Sequence, residues 1–122
     1  MTEKTVLICD DEPLIREAMS FSVKKEGHKV LMASDGEEAF AKATEEAPDL
    51  ILLDVGMPVM TGYEVCEKLR ALPEGDKFMI VIVTAFGQVS DQEKAKAVGA
   101  DDYMTKPFSP RDLQKKIHDL LS

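Results

Sequence analysis

The stretch Val6-Leu7-Ile8-Cys9-Asp10-Asp11-Glu12-Pro13, "VLICDDEP", is an apolar run that stops abruptly in three carboxylates and a proline. A short, continuously apolar run is what a strand covered on both faces requires. Pro13 suits the first turn of a helix, where its missing N–H is one that no helical carbonyl would have taken. The stretch thus reads as a strand passing straight into a helix. Like charges packed so closely repel, so something positive belongs beside them.

The same alternation runs outward to both ends of the chain. Strands are expected at Thr5 to Cys9, Lys29 to Ala33, Leu50 to Leu53, Met79 to Val83 and Asp102 to Met104. The helix opened by Pro13 sets Leu14, Ala18 and Phe21 on one side before Gly27 ends it. Gly36 to Glu46 sets Phe40 and Ala43 on one face, with Pro48 beyond. Thr61, Ser90 and Ser109 are each followed three residues later by an acid (Glu64, Glu93, Asp112), the pattern of an N-terminal capping box. After Pro110, the residues Leu113, Ile117, Leu120 and Leu121 have the spacing of a helix packed on a core. Five strand-helix pairs in 122 residues predict an α/β fold with an open, doubly wound parallel sheet, since an eight-fold barrel needs about twice the length.

Composition narrows the function. With 44% hydrophobic residues the chain can bury the core of one domain, residues 1–122. Its 15 Lys and Arg against 23 Asp and Glu give a net charge of -8, which repels nucleic-acid phosphates and anionic lipid surfaces. The longest apolar run, Phe78 to Val83, is far shorter than the roughly 20 residues of a membrane-spanning helix. No basic start or cleavage pattern precedes the first strand, so a cytoplasmic location is expected. Cys9 and Cys66 lack metal-ligand and redox-motif spacing and read as reduced core residues.

In a parallel sheet every strand delivers its carboxyl end to one edge, where ligands bind. Asp10 and Asp11 follow the first strand, Asp54 ends the third, Thr84 the fourth, and Lys106 follows the fifth. Three carboxylates at one rim suit a hard divalent cation such as Mg²⁺. With a lysine and a hydroxyl beside them they also have the parts for phosphoryl transfer. Asp54 would attack phosphorus, Lys106 would neutralise the phosphoryl oxygens, and Thr84 would donate a hydrogen bond to one of them, giving an aspartyl phosphate.

The motifs "VLICDDEP", "DLILLDVGMPVMTGYE", "VIVTA" and "GADDYMTKPF" together resemble the receiver domains of two-component response regulators, including the stand-alone chemotaxis type. The resemblance spans essentially the whole chain. It implies a flavodoxin-like sheet of strand order 2-1-3-4-5 with five helices. It also implies that Asp10, Asp11, Asp54 and the Gly56 carbonyl hold Mg²⁺, that Asp54 is the phosphoacceptor, and that Thr84 and Lys106 contact the phosphoryl group. Tyr103 matches the switch aromatic, and Pro107 the family's cis-proline. The phosphoryl donor implied is a histidine kinase or phosphotransfer protein, docking on Leu14, Ile15, Pro107 and Phe108. A downstream protein target would read the switch, through a monomer or a phosphorylation-dependent dimer. Such a domain catalyses only its own phosphorylation and dephosphorylation. It acts alone on a partner or as the receiver of a longer regulator.

Against this stand plainer readings. Asp10 to Glu12 could be ordinary helix N-terminal acids, and Glu12 keeps that reading. A Mg²⁺-dependent phosphohydrolase with an aspartyl-phosphate intermediate typically places its acids two residues apart and carries a cap segment, whereas here the acids are adjacent and no insertion is long enough. A receiver that serves only as a binding module usually lacks one of the acids, the threonine or the lysine. Two positions depart from common family usage. Gly56 has no side chain to shield or orient a water near Asp54, and Phe86 is bulky and apolar where polar residues are common.

Overall fold

A computed structural model describes residues 3–85 and 89–121. In chain order the elements are β1 (Thr5–Cys9), α1 (Pro13–Lys25), β2 (Lys29–Ala33), α2 (Gly36–Glu46), β3 (Leu50–Asp54), α3 (Gly62–Arg70), a 3-10 turn (Gly75–Lys77), β4 (Ile80–Thr84), α4 (Val89–Ala97), β5 (Asp102–Thr105) and α5 (Pro110–Leu121). All strand pairs are parallel, in the order β2-β1-β3-β4-β5. The expected α/β fold and strand order therefore hold. The third and fifth strands run one residue further than expected, to Asp54 and Thr105, and the fourth is shifted by one, to end on Thr84.

Both faces of the sheet are covered, which is why its strands are apolar at nearly every position. Val6 and Ile8 of β1, Leu50 and Leu52 of β3, and Val81 and Val83 of β4 face Met19 and Val23 of α1 and Leu113 and Ile117 of α5. Their neighbours Leu7, Cys9, Ile51, Leu53, Ile80 and Ile82 face the other way, onto Ala39 and Ala43 of α2, Val65, Cys66 and Leu69 of α3, and Ala95 of α4. The two-residue period of the strand puts alternate side chains into two separate cores. Truncating any of these fully buried Leu or Ile side chains to Ala costs about 2–5 kcal/mol.

Capping follows the sequence in part. Thr61 and Glu64 form the reciprocal box at the start of α3, and Ser109 and Asp112 do the same ahead of α5. Ser90 is a correction: it lies within α4 rather than before it. The face of α1 is another. Leu14, Ala18 and Phe21 point to solvent, while Met19, Ser20, Ser22 and Val23 are buried. Gly27 does stand in the left-handed region (φ 87) beyond the end of that helix, and both cysteines are free and buried.

Candidate functional site

Reversal of chain direction across the sheet, from β1 out to β2 and back to β3, opens a crevice between the carboxyl ends of β1 and β3. Asp10 and Asp54 lie at those two ends and are nearly buried, at 1% and 7% exposure. Lys106, from the loop after β5, reaches between them. Its Nζ is 2.7 Å from Asp10 Oδ2 and 2.9 Å from Asp54 Oδ1. Part of the positive charge that the acids of the opening stretch require is thus supplied by a residue 96 positions away. The Lys106–Pro107 peptide is cis, as the resemblance implies.

Asp10 is held at each of its polar groups. Its N–H donates to the Ala33 carbonyl at 3.1 Å, and its Oδ1 accepts from the Glu12 N–H at 2.9 Å. Its carbonyl accepts from Arg16 Nη1 at 2.7 Å. Asp10, Asp11 and Glu12 each bring a carboxylate oxygen within 4.8 Å of the others, the hard oxygen donors that suit a divalent cation. Glu12, read from sequence as an ordinary helix-start acid, joins this cluster and makes no side-chain cap. Asp54 is joined to it through Lys106.

Burial pushes the Asp54 carboxyl above its ordinary range; the hydrogen bond from Lys106 opposes this and the Asp10 charge adds to it. For Lys106, burial favours the neutral amine, but the hydrogen bonds and charges of Asp10 and Asp54 outweigh it and the ammonium is held above its usual value. Each shift follows from one arrangement, a single cation shared by two enclosed anions.

Close backbone approach shapes the rest of the site. Gly62, the first residue of α3, donates to the Val55 carbonyl at 3.3 Å. Gly56 is exposed, and a Cβ there would meet only Asp54 Oδ2, at 3.5 Å. Thr84, at 2% exposure, ends β4, and its carbonyl accepts from the Lys106 N–H at 2.7 Å. Tyr103 pairs with Ile82 in the sheet and packs, half-buried, on the α2–α4 core. Phe86 lies outside the described residues.

Of the expected docking residues, Leu14 is 80% exposed, Pro107 is exposed, and Ile15 and Phe108 are half-buried. Ile15, Pro107 and Phe108 line a groove of about 550 Å³ that also takes in Met19 and Leu113 and reaches Lys106. Two features of the site were not visible in the sequence, the Arg16 contact and the part Glu12 plays. The only sequence signal for Arg16 is a cation near the start of a helix, where the dipole disfavours one.

Comparison with known proteins agrees with this geometry. Residues 6–118 match the response regulator receiver domain, and the chain belongs to that family of two-component signalling proteins. It is 43% identical over 118 residues to the alkaline phosphatase synthesis transcriptional regulatory protein PhoP of Bacillus subtilis, a match covering 97% of this chain and 48% of that protein. A probable transcriptional regulator ycf27 of Guillardia theta is 41% identical, over 98% of this chain and 46% of its own length. The chain thus spans about half the length of the curated relatives it matches. Among solved structures, the chemotaxis response regulator CheY4 of Vibrio cholerae superposes with a TM-score of 0.92 at 37% identity, over 98% of this chain and 100% of that one. The receiver domain of sensor histidine kinase PA1611 of Pseudomonas aeruginosa, described with a magnesium ion in its active-site cleft, gives 0.88 at 28% identity, covering 98% of each chain.

Proposed function

We propose that residues 1–122 form one receiver domain, a cytoplasmic phosphorylation switch in which Asp54 accepts a phosphoryl group from a histidine kinase or phosphotransfer protein. The observation that carries this is the shared cation: Lys106 Nζ lies 2.9 Å from Asp54 Oδ1 and 2.7 Å from Asp10 Oδ2. A carboxylate beside a fixed ammonium and an oxygen-only acidic cluster is a nucleophile placed where phosphoryl charge can be neutralised. Asp10, Asp11, Asp54 and the Gly56 carbonyl would hold Mg²⁺, which when bound supplies Lewis-acid neutralisation of the phosphoryl oxygens.

In the transfer, an Asp54 oxygen forms the new O–P bond as the N–P bond of a phosphohistidine donor breaks and the imidazole leaves. Lys106 turns from Asp54 to the phosphoryl oxygens, and the Thr84 hydroxyl donates to one of them. That draws Thr84 toward the site and lets Tyr103 turn inward, a two-state arrangement that a downstream protein target reads. Water then hydrolyses the acyl phosphate, and the absence of a side chain at Gly56 leaves its approach unshielded. The donor docks on the apolar rim formed by Leu14, Ile15, Pro107 and Phe108.

The test is intact-mass spectrometry after incubation with Mg²⁺ and acetyl phosphate. A single phosphoryl gain is expected, lost on omission of Mg²⁺ and in Asp54→Ala. No gain in a folded wild-type protein, or an equal gain in the variant, defeats the assignment.

A further inference from the structure

Helix α1 begins without the device that starts α2, α3 and α5. Asp35 caps α2, Thr61 caps α3 and Ser109 bonds into the first turn of α5, but Glu12 gives α1 no side-chain cap and its first turn holds no acid. The turn from β1 into α1 is braced from above instead. The main-chain N–H of Arg16 donates to the Glu12 carbonyl at 3.0 Å, and its guanidinium reaches back six residues to the Asp10 carbonyl at 2.7 Å. The Glu12 N–H returns to Asp10 Oδ1 at 2.9 Å. Residues 10, 12 and 16 therefore close a ring of hydrogen bonds around the turn that carries the acidic cluster. Nothing in helix stability favours a cation this near the positive end of α1.

We infer that Arg16 is a positioning residue, whose guanidinium acts through the Asp10 carbonyl to hold the β1–α1 turn in the shape that makes the Asp10, Asp11 and Glu12 carboxylates converge. Without it a carbonyl of a residue only 1% exposed loses its donor, and relaxation of that peptide swings the Asp10 side chain away from the cluster. The inference rests on the proposal that Asp10 and Asp11 of this cluster hold Mg²⁺ together with Asp54 and the Gly56 carbonyl. Two opposed effects separate positioning from charge balance. Loss of a nearby cation alone tightens Mg²⁺, whereas loss of the brace weakens it.

The experiment is calorimetric titration of Mg²⁺ into the wild-type protein, Arg16→Met and Arg16→Lys, with circular dichroism to match the folds. Arg16→Met is expected to raise the Mg²⁺ Kd about 10-fold, the scale on which groups orienting metal ligands act, and Arg16→Lys to restore most of it. An unchanged or lower Kd in Arg16→Met overturns the inference. If Arg16→Met does not fold, Arg16→Gln is read in its place against the same expectation. If the wild type binds no Mg²⁺, the metal proposal fails. Amide exchange of Glu12 in the metal-free protein then decides for Arg16: faster exchange in the variant supports the brace, and equal exchange overturns it.

Discussion

Gly62 stands so close to the main chain of Asp54 that a Cβ on it would lie 2.5 Å from the Asp54 carbonyl oxygen and 3.0 Å from its carbonyl carbon. The atoms in the way are backbone, which cannot turn aside as the end of a side chain can. The start of α3 can press against the end of β3 only because residue 62 is glycine, and that contact sets where the Asp54 carboxylate stands.

Gly62→Ala is accordingly expected to destabilise the domain by about 1–3 kcal/mol, the range of overpacked sites. It also shifts Asp54 and slows its phosphorylation by acetyl phosphate. Urea denaturation and intact mass measure the two effects. A stable variant with an unchanged rate would show that the loop from 55 to 61 absorbs the displacement.

Lys106→Met leaves two nearly buried carboxylates facing each other. Breaking a fully buried pair costs about 3–5 kcal/mol, and with the ammonium 18% exposed the loss here is expected nearer ~1–3 kcal/mol at pH 7. Added Mg²⁺ should recover more stability in this variant than in the wild type, because the pocket then holds one cation fewer. Thermal melts with and without Mg²⁺ make the comparison.

The raised pKa of Asp54 carries a sign for stability. The folded state holds the proton more tightly than the unfolded chain, so the favourable contribution is present below the unfolded pKa and fades as pH rises through the folded value. Asp54→Asn removes a charge that the fold disfavours at neutral pH. Its melting temperature should exceed that of the wild type by about 2–5 °C at pH 7, the effect of ~1 kcal/mol or less in a domain of this size, and the gap should close in acid. A variant less stable than the wild type at pH 7 would mean that the Lys106 pairing outweighs the burial of Asp54.

Val59 takes a positive φ of 72 although it is β-branched and 74% exposed. The Met60 N–H donates to the Pro58 carbonyl at 2.8 Å across it, the mark of a strained three-residue turn. Glycine adopts it without a Cβ penalty, and the strain relieved, about 1–3 kcal/mol, exceeds the ~0.5–1 kcal/mol of chain entropy that glycine costs. Val59→Gly should therefore raise stability in denaturant melts while leaving phosphorylation by acetyl phosphate intact. A drop in stability would show that the loop keeps this shape for contacts the Val59 side chain makes.

Leu14→Asp tests the docking rim. The side chain is 80% exposed, so folding should change by no more than about 0.5 kcal/mol. Phosphotransfer from a phosphohistidine donor protein should slow at least tenfold, while acetyl phosphate remains effective. Equal loss with both donors would remove Leu14 from the docking surface.

Much of this was legible in the chain. Continuous apolar runs such as Leu50 to Leu53 announce strands covered on both faces, and each ends in residues that a parallel sheet must deliver to one edge. Strand direction alone therefore assigns Asp10, Asp54, Thr84 and Lys106 to one rim. Thr61 with Glu64 marked the start of α3, and Leu113 with Ile117 marked the buried side of α5. These are local signals of period, caps and strand ends, read over a few residues.

The side of α1 was not legible. Leu14, Ala18 and Phe21 form as plausible an apolar stripe as Met19 and Val23, and the choice between them is made by α5, which packs beside α1 on the same face of the sheet and buries Met19, Val23 and even Ser22. Helical period shows that a helix has faces, while the neighbouring elements decide which face is inside.

Sequence alone determined the βα alternation, the parallel sheet and the set of residues at its carboxyl edge, because short-range periodicity and strand direction are sufficient for them. Tertiary structure alone decided that Lys106 bridges Asp10 and Asp54, that Arg16 braces the Asp10 carbonyl, and that Gly62 must lack a side chain. Those relations are set by approaches of about 3 Å, across 96 residues for Lys106 and Asp10 and across only six for Arg16 and Asp10. No pattern along the sequence encodes a distance of that kind, which exists only once the strands and helices have packed.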